Sequence, residues 1–298
     1  MNYVEQLGTA ESFFKVIPQN IGEIQYCSST NPKAEKDSTK IRAKQYLLAI
    51  GIPILITTIV ALLSKSPVFI AIVAVISLIV LLKCVNKISS FSGMDFFVGS
   101  EGVVRITFED DRNNAKIIEE ILFKDAADYI SKEVHRYQNR NYIGTEIVKS
   151  FFGEVNEKGE RSNLGGWTGT IPKEGLEYKF MERAESAWSV YYMSKVKEQF
   201  AKEKRISFNV YTDNGFINDY LIFENETLRV ADRVYDKSTL KDVRLGNGVL
   251  IIEHVNHSTK LFGLIKKGNQ EEIPIHMIAN SKVFMMFFQE FYANVVNK

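Results

Sequence analysis

The chain has 298 residues, with 37 lysines and arginines against 36 aspartates and glutamates, a formal net charge of +1. That balance leaves no global field for gathering nucleic acid, and two cysteines, Cys27 and Cys84, exclude a disulfide framework. A hydrophobic content of 45% with 24% charged residues matches an average soluble protein, yet the apolar residues crowd into one block near the N-terminus.

Residues 1–44 read as an N-terminal segment ahead of that block. The first forty-odd residues carry polar stretches such as Asn31 to Lys40, whereas a secretory signal places its apolar core near the start, so the later apolar block is expected to stay in the mature protein. Phe13-Phe-Lys-Val-Ile17 and Ile24-Gln-Tyr26 read as a short helix and strand on the soluble part, or as a loose arm.

Residues 45–83 read as a transmembrane helical hairpin. No charged side chain lies between Gln45 and Ser64, and Tyr46 to Leu63 is nearly all apolar. As a helix this run covers about 27–30 Å, the thickness of a hydrocarbon core. Ser64-Lys-Ser66 interrupts it, and Pro67 suits the first turn of a second helix. The run Pro67 to Leu82 spans roughly 24 Å, and Lys65 and Lys83 can snorkel at its ends. Neither run has the polar face of a helix in a soluble protein. Lys33, Lys36, Lys40, Arg42 and Lys44 precede the pair, Lys83 and Lys87 follow it, and the turn holds only Lys65. The positive-inside rule then puts both termini in the cytoplasm. Arg42, Lys44, Lys83 and Lys87 become candidates for headgroup contact.

Beyond Ser89 the period changes to two. Val104, Ile106 and Phe108 alternate with Arg105, Thr107 and Glu109. Asp110 to Asn114 reads as a turn, Ile117 to Phe123 as a return strand, and Ile143 to Phe152 and Gly169 to Ile171 as further strands. Glu182 to Lys204 reads as a helix with Trp188, Tyr191, Tyr192, Val196 and Phe200 on one face. A second series follows: strands at Ile206 to Val210, Leu221 to Phe223, Leu228 to Ala231 and Leu240 to Leu245, then a tight turn at Gly246-Asn-Gly248. Val249 to Val255, Leu261 to Ile265 and Ile273 to Ile278 complete it. A last helix, capped by Asn280 or Ser281, carries Val283, Phe284, Phe287, Phe288, Phe291 and Val295 as its stripe. Each series is thus several strands and one helix, which sets domains at 94–204 and 205–298. Ser100-Glu-Gly-Val-Val-Arg-Ile106 echoes Asn225-Glu-Thr-Leu-Arg-Val230, leaving an internal duplication open.

The hairpin followed by Asp95-Phe-Phe-Val-Gly-Ser-Glu-Gly-Val103, with Leu122-Phe-Lys-Asp125 after it, resembles bacterial membrane proteins that carry pleckstrin-homology-like domains. The resemblance implies an α+β chain: an N-terminal transmembrane hairpin, then two units, each a bent antiparallel sheet closed by a C-terminal helix. It implies the bacterial inner membrane as location, crossed twice, and partners that are lipids in some families and peptides or proteins in others. It brings no catalytic residues. Members that bind inositol phosphates place several basic residues in the first hairpin, a pattern that Arg112 and Lys116 do not complete.

Motifs for chemistry are sparse. His254 and His257 flank a turn three residues apart, a spacing that points strand side chains to opposite faces and argues against a shared metal. Gly165-Gly-Trp-Thr-Gly169 lacks the lysine of a phosphate loop and reads as a flexible turn letting Trp167 cap the sheet or touch a partner. Glu109-Asp-Asp111 and Glu119-Glu120 read as solvated charge. The expectation is a cytoplasmic, membrane-anchored interaction or scaffold protein without catalysis, cofactor, metal or nucleic acid. The expected partner is a protein or peptide, met at exposed sheet edges and at Trp167 and Tyr142, or membrane lipid, with the former favoured over an inositol lipid. The rival is a membrane-bound hydrolase whose residues converge only in three dimensions, recognisable by His135 or His254 beside a carboxylate in a pocket.

Overall fold

The computed structural model describes residues 18–30, 38–64, 66–86, 93–108, 115–158, 160–171, 175–255 and 270–296. It is a mixed helix-and-sheet protein with four sheets of three or four strands. It divides into two compact units. One takes in the two apolar helices and residues 27–30, 93–96, 105–108 and 115–118; the other takes in 19–26, 97–104 and 119–296.

In the first unit, α1 runs Ser38–Leu63 and α2 runs Pro67–Asn86. The side chain of Ser66 accepts the Phe69 N–H and its carbonyl the Ile70 N–H, so Ser66 caps α2 and Pro67 opens it. Within α1 the hydroxyls of Thr57 and Thr58 bond the carbonyls of Pro53 and Ile54, one turn back, so neither hydroxyl needs water. Leu48, Ile52 and Ile56 of α1 share an apolar groove with Val73, Ile76 and Val80 of α2. The stretch Ala43–Leu63, 21 residues at mean hydropathy 2.5, is long and apolar enough to cross a membrane, and almost none of it is buried. The apolar part of α2, Pro67–Leu81, is shorter.

The first sheet has the order β1-β2-β3-β4, with β1 Ile24–Ser29, β2 Gly93–Gly99, β3 Gly102–Phe108 and β4 Lys116–Leu122. Its first strand precedes α1 and its second follows α2. The helices are therefore an insertion between neighbouring strands, and the domain start expected at residue 94 leaves β1 out. At the base of the insertion the Thr30 N–H bonds the Met94 carbonyl at 2.9 Å, and the Met94 N–H bonds Thr30 Oγ1 at 2.8 Å.

In the second unit, β5 Asp128–Gln138, β6 Asn141–Val155 and β7 Arg161–Ile171 form an antiparallel sheet, followed by α3 Leu176–Glu203. Asn139 and Arg140, both at positive φ, make the two-residue turn between β5 and β6. Helix α3 stops at Lys204, whose φ of 54° and N–H bond to the Phe200 carbonyl form a left-handed cap. Phe123, Phe151 and Trp188 meet at centroid distances of 5.5–5.9 Å in this core.

The strand series then repeats. β8 Arg205–Thr212, β9 Gly215–Glu224, β10 Thr227–Val230 and β11 Arg233–Tyr235 form one antiparallel sheet. β12 Leu240–Gly246, β13 Val249–His254 and β14 Gln270–Pro274 form another. Helix α4, Ser281–Val296, closes the series. Phe208, Phe223, Phe284, Phe287 and Phe288 fill a dry core between sheets and helix.

Several expectations change. The strand expected to end at Ile278 gives way after Pro274 to a 3-10 turn, Ile275–Met277. The glycines of Gly165 to Gly169 lie inside β7 rather than in a turn. A Cβ on Gly166 would collide with the Lys149 carbonyl, so the strand needs glycine to pack against β6. Asn280 stands at the start of α4, its carbonyl taking the Phe284 N–H, but its side chain turns away from the helix. The expected turn Asp110 to Asn114, including Arg112, and the elements at Phe13 to Ile17 and Leu261 to Ile265, with His257, lie outside the described residues.

Candidate functional site

The second unit concentrates its buried polar groups where β5, β7, β8 and the start of α4 converge. Asp128, the first residue of β5, is buried, and Arg161, the first of β7, has only 9% of its side chain exposed. Arg161 Nη1 meets Asp128 Oδ2 at 2.7 Å and also donates to the Gly153 carbonyl; Nη2 donates to Asn218 Oδ1 at 2.9 Å. The guanidinium lies 4.9 Å from the centre of the Phe216 ring.

Two asparagines complete the cluster. Asn209 Nδ2 donates to Asp128 Oδ2 at 2.8 Å, and Asn209 Oδ1 accepts the Asp219 N–H. Asn280 Nδ2 donates to Asp128 Oδ1 and to the Ala127 carbonyl. Its Oδ1 accepts both the Tyr129 N–H and the Trp188 indole N–H, each at 2.9 Å. The backbone continues the seam: the Asn280 N–H bonds the Tyr129 carbonyl and the Ala279 N–H bonds the Asn209 carbonyl. One amide thus ties β5, α3 and the entry to α4 together. Low polarity around such a network makes each member expensive to remove.

A cavity of about 470 Å³ opens beside this cluster. Lys124, Glu154, Lys195 and Asp219 line it together with Asp128 and Arg161, three cations against three carboxylates. A balanced lining does not select a polyanion such as an inositol phosphate. Burial pushes the Asp128 carboxyl above the usual carboxylate range, while Arg161 and Asn209 pull it back. Burial, reinforced by Asp128 and Glu154, pushes the Tyr192 phenol up. Both oxygens of Asp128 are occupied by Arg161 and the two asparagines, so the carboxylate works as a clamp and is poorly placed as a base. Neither His135 nor His254 lines this cavity. Among the described residues no group of three His, Cys, Asp or Glu side chains is arranged to hold a metal.

A second charged cluster joins β6 to α3. Lys149, 1% exposed, places Nζ 2.8 Å from Glu133 and 2.5 Å from Glu185. Tyr178 donates to Glu133, and Ser131 to Glu185. Burial pushes the Lys149 ammonium down, but the two glutamates outweigh it and hold it above its ordinary range.

The residues singled out in the sequence separate. Trp167 is 9% exposed with its ring 5.1 Å from Phe180, so it caps the sheet from inside and offers no face to a partner. Tyr142 is exposed near the β5–β6 turn, with Oη 2.6 Å from Thr145 Oγ1. Lys44 is exposed on α1. Arg42 and Lys83 belong to α1 and α2 at positions where the backbone alone is described, and Lys87 lies outside the described residues. The cluster of Asp128, Arg161, Asn209 and Asn280 escaped sequence reasoning, because its members are up to 152 positions apart. Set against known proteins, the chain matches no family model, no curated protein and no solved structure.

Proposed function

We propose that this chain is a membrane-anchored interaction protein of the bacterial inner membrane, in which two pleckstrin-homology-like modules present a binding body to the cytoplasm. The observation that carries the reading is the apolar surface of the runs Tyr46 to Leu63 and Pro67 to Leu81: Leu62 and Leu63 of α1 are each 80% exposed and Val68 of α2 68%. Apolar surface of that extent is costly in water and at home in lipid. The base of the insertion supports a two-pass arrangement. Thr30 and Met94 are hydrogen-bonded to one another, so a chain that leaves and returns there crosses a bilayer an even number of times. Two apolar helices supply two crossings, and the lysine-rich flanks put the termini on the cytoplasmic side.

The module assignment rests on repetition. A four-stranded sheet, a three-stranded sheet and a long helix occur in that order twice, the first time interrupted by α1 and α2. Anchoring raises the effective concentration of such modules toward partners at the same surface, so modest contacts suffice. A protein or peptide partner fits better than an inositol lipid, because the cavity lining is charge-balanced. The site chemistry favours this reading over a hydrolase, since Asp128 is held by three donors and has no histidine beside it among the described residues.

The test is extraction of membranes by alkaline carbonate, followed by affinity capture of the full chain from gently solubilised membranes. The anchored reading expects the chain to stay in the pellet and to bring down a reproducible partner. Release into the carbonate supernatant would overturn the anchor. Hydrolysis of ester or peptide substrates by the purified chain, lost in Asp128→Asn, would favour the enzyme.

A further inference from the structure

Beyond Glu133, which serves the Lys149 cluster, the β5–β6 hairpin is exposed on both strands as far as Ile143. Every residue from Lys132 to Ile143 is exposed. The ten residues from Val134 to Ile143 contain Arg136, Arg140, His135, Tyr137, Tyr142, Val134 and Ile143, and no aspartate or glutamate. Tyr137 is 64% exposed and Ile143 56%. On one face Tyr137 and Tyr142 pair across the strands, centroids 5.9 Å apart, with His135 against Tyr142. Cross-strand aromatic contact of this kind stiffens the hairpin and fixes both rings in place. Arg136 lies opposite Gly144 and Val134 opposite Glu146, and Ile143 falls at the register shift between Arg136 and Tyr137.

We infer that this tip is a lipid-contacting wedge that seats in the headgroup layer of an anionic bilayer. Tyrosine has an apolar ring and a polar end, the combination favoured at a membrane–water interface. Arginines beside such rings complement anionic headgroups. Arg140 forms no ion pair among the described residues. Arg136 pairs with Glu146, but that pair is exposed on both sides and therefore weak enough to exchange for phosphate. The inference rests on the membrane-anchored reading, which brings a bilayer within reach, and adds a second contact independent of α1 and α2.

The full chain reconstituted into lipid nanodiscs tests it by hydroxyl-radical footprinting of Tyr137 and Tyr142. Discs of phosphatidylcholine alone are compared with discs containing phosphatidylglycerol, with Tyr211 as an internal control outside the hairpin. The wedge predicts that oxidation of Tyr137 and Tyr142 falls on the order of tenfold with phosphatidylglycerol, as expected for two arginines at an anionic surface. Tyr211 should be unchanged, and the double substitution Arg136→Gln with Arg140→Gln should restore oxidation. Equal oxidation in both discs would overturn the wedge while leaving the anchor intact. Protection already present in lipid-free detergent would overturn it in favour of contact between copies. Failure of the chain to co-elute with discs of either composition would overturn the anchored reading, and the wedge with it.

Discussion

The two strand-and-helix modules share an order of elements but are held together by different physics. The second is closed by Phe208, Phe223, Phe284, Phe287 and Phe288, an apolar aromatic core with no buried charge among the described residues. The first buries Lys149 between two glutamates and Asp128 against Arg161, alongside its aromatic cluster of Phe123, Phe151 and Trp188. A dry core gains stability from area and packing. A charged one gains geometry, since each ion must find its partner before burial is tolerable. The contrast teaches that the first module depends on its neighbours: Asp128 takes donors from Asn209 and Asn280, both of the second series.

Five substitutions sharpen that contrast, all read by urea unfolding of the full chain in detergent, followed by tryptophan fluorescence. The largest effect belongs to the dry core: Phe284→Ala should cost about 3–5 kcal/mol by loss of packing and the cavity left behind. Next comes Asn280→Ala, expected to cost about 2–4 kcal/mol because it strands the buried Trp188 indole and Tyr129 amide donors. If the seam joins the modules as described, combining it with Asp128→Asn will cost less than the sum of the single changes.

Lys149→Met comes third, at roughly 1–3 kcal/mol, because its glutamates are partly exposed and can regain water. Its pH signature is specific. The raised Lys149 ammonium contributes stability in full below its ordinary value of 10.5, and that contribution is lost as pH rises through the folded value. Burial pushes the Glu133 carboxyl up, but Lys149 and Tyr178 outweigh it and hold it low. Its contribution is present above 4.5 and lost as pH falls through the folded value. Lys149→Met should therefore flatten stability at both ends of the range. A stability–pH profile unchanged by the substitution would refute the triad. Smallest of all, Lys197→Ala breaks an exposed pair with Glu290 and should shift stability by no more than about 0.5 kcal/mol.

The same contrast explains what could be read from the sequence. The second module's strands at Ile206, Leu221, Leu228, Val249 and Ile273, and the stripe of α4, were legible because a dry core imposes apolar periodicity. Strand β5 was not, since Lys132 to Gln138 face solvent and leave no alternation to detect. The Gly165–Gly169 stretch misled because glycine there answers to close packing against Lys149, a partner visible only in the fold. Membership of β1 in the first sheet was hidden by the two helices inserted before its neighbour β2. Asn280 was legible as a residue that starts a helix; its work as a clamp depends on Tyr129, 151 positions away.

The central claim is that α1 and α2 carry the chain out of the cytoplasm and back. Thiol labelling of intact spheroplasts with a membrane-impermeant maleimide tests it most directly, comparing Ser66→Cys in the α1–α2 connection with Ser238→Cys in the exposed loop after β11. The account predicts labelling of the first from outside, and of the second only after the membrane is permeabilised. Labelling of position 238 in intact spheroplasts, with position 66 protected, would contradict it.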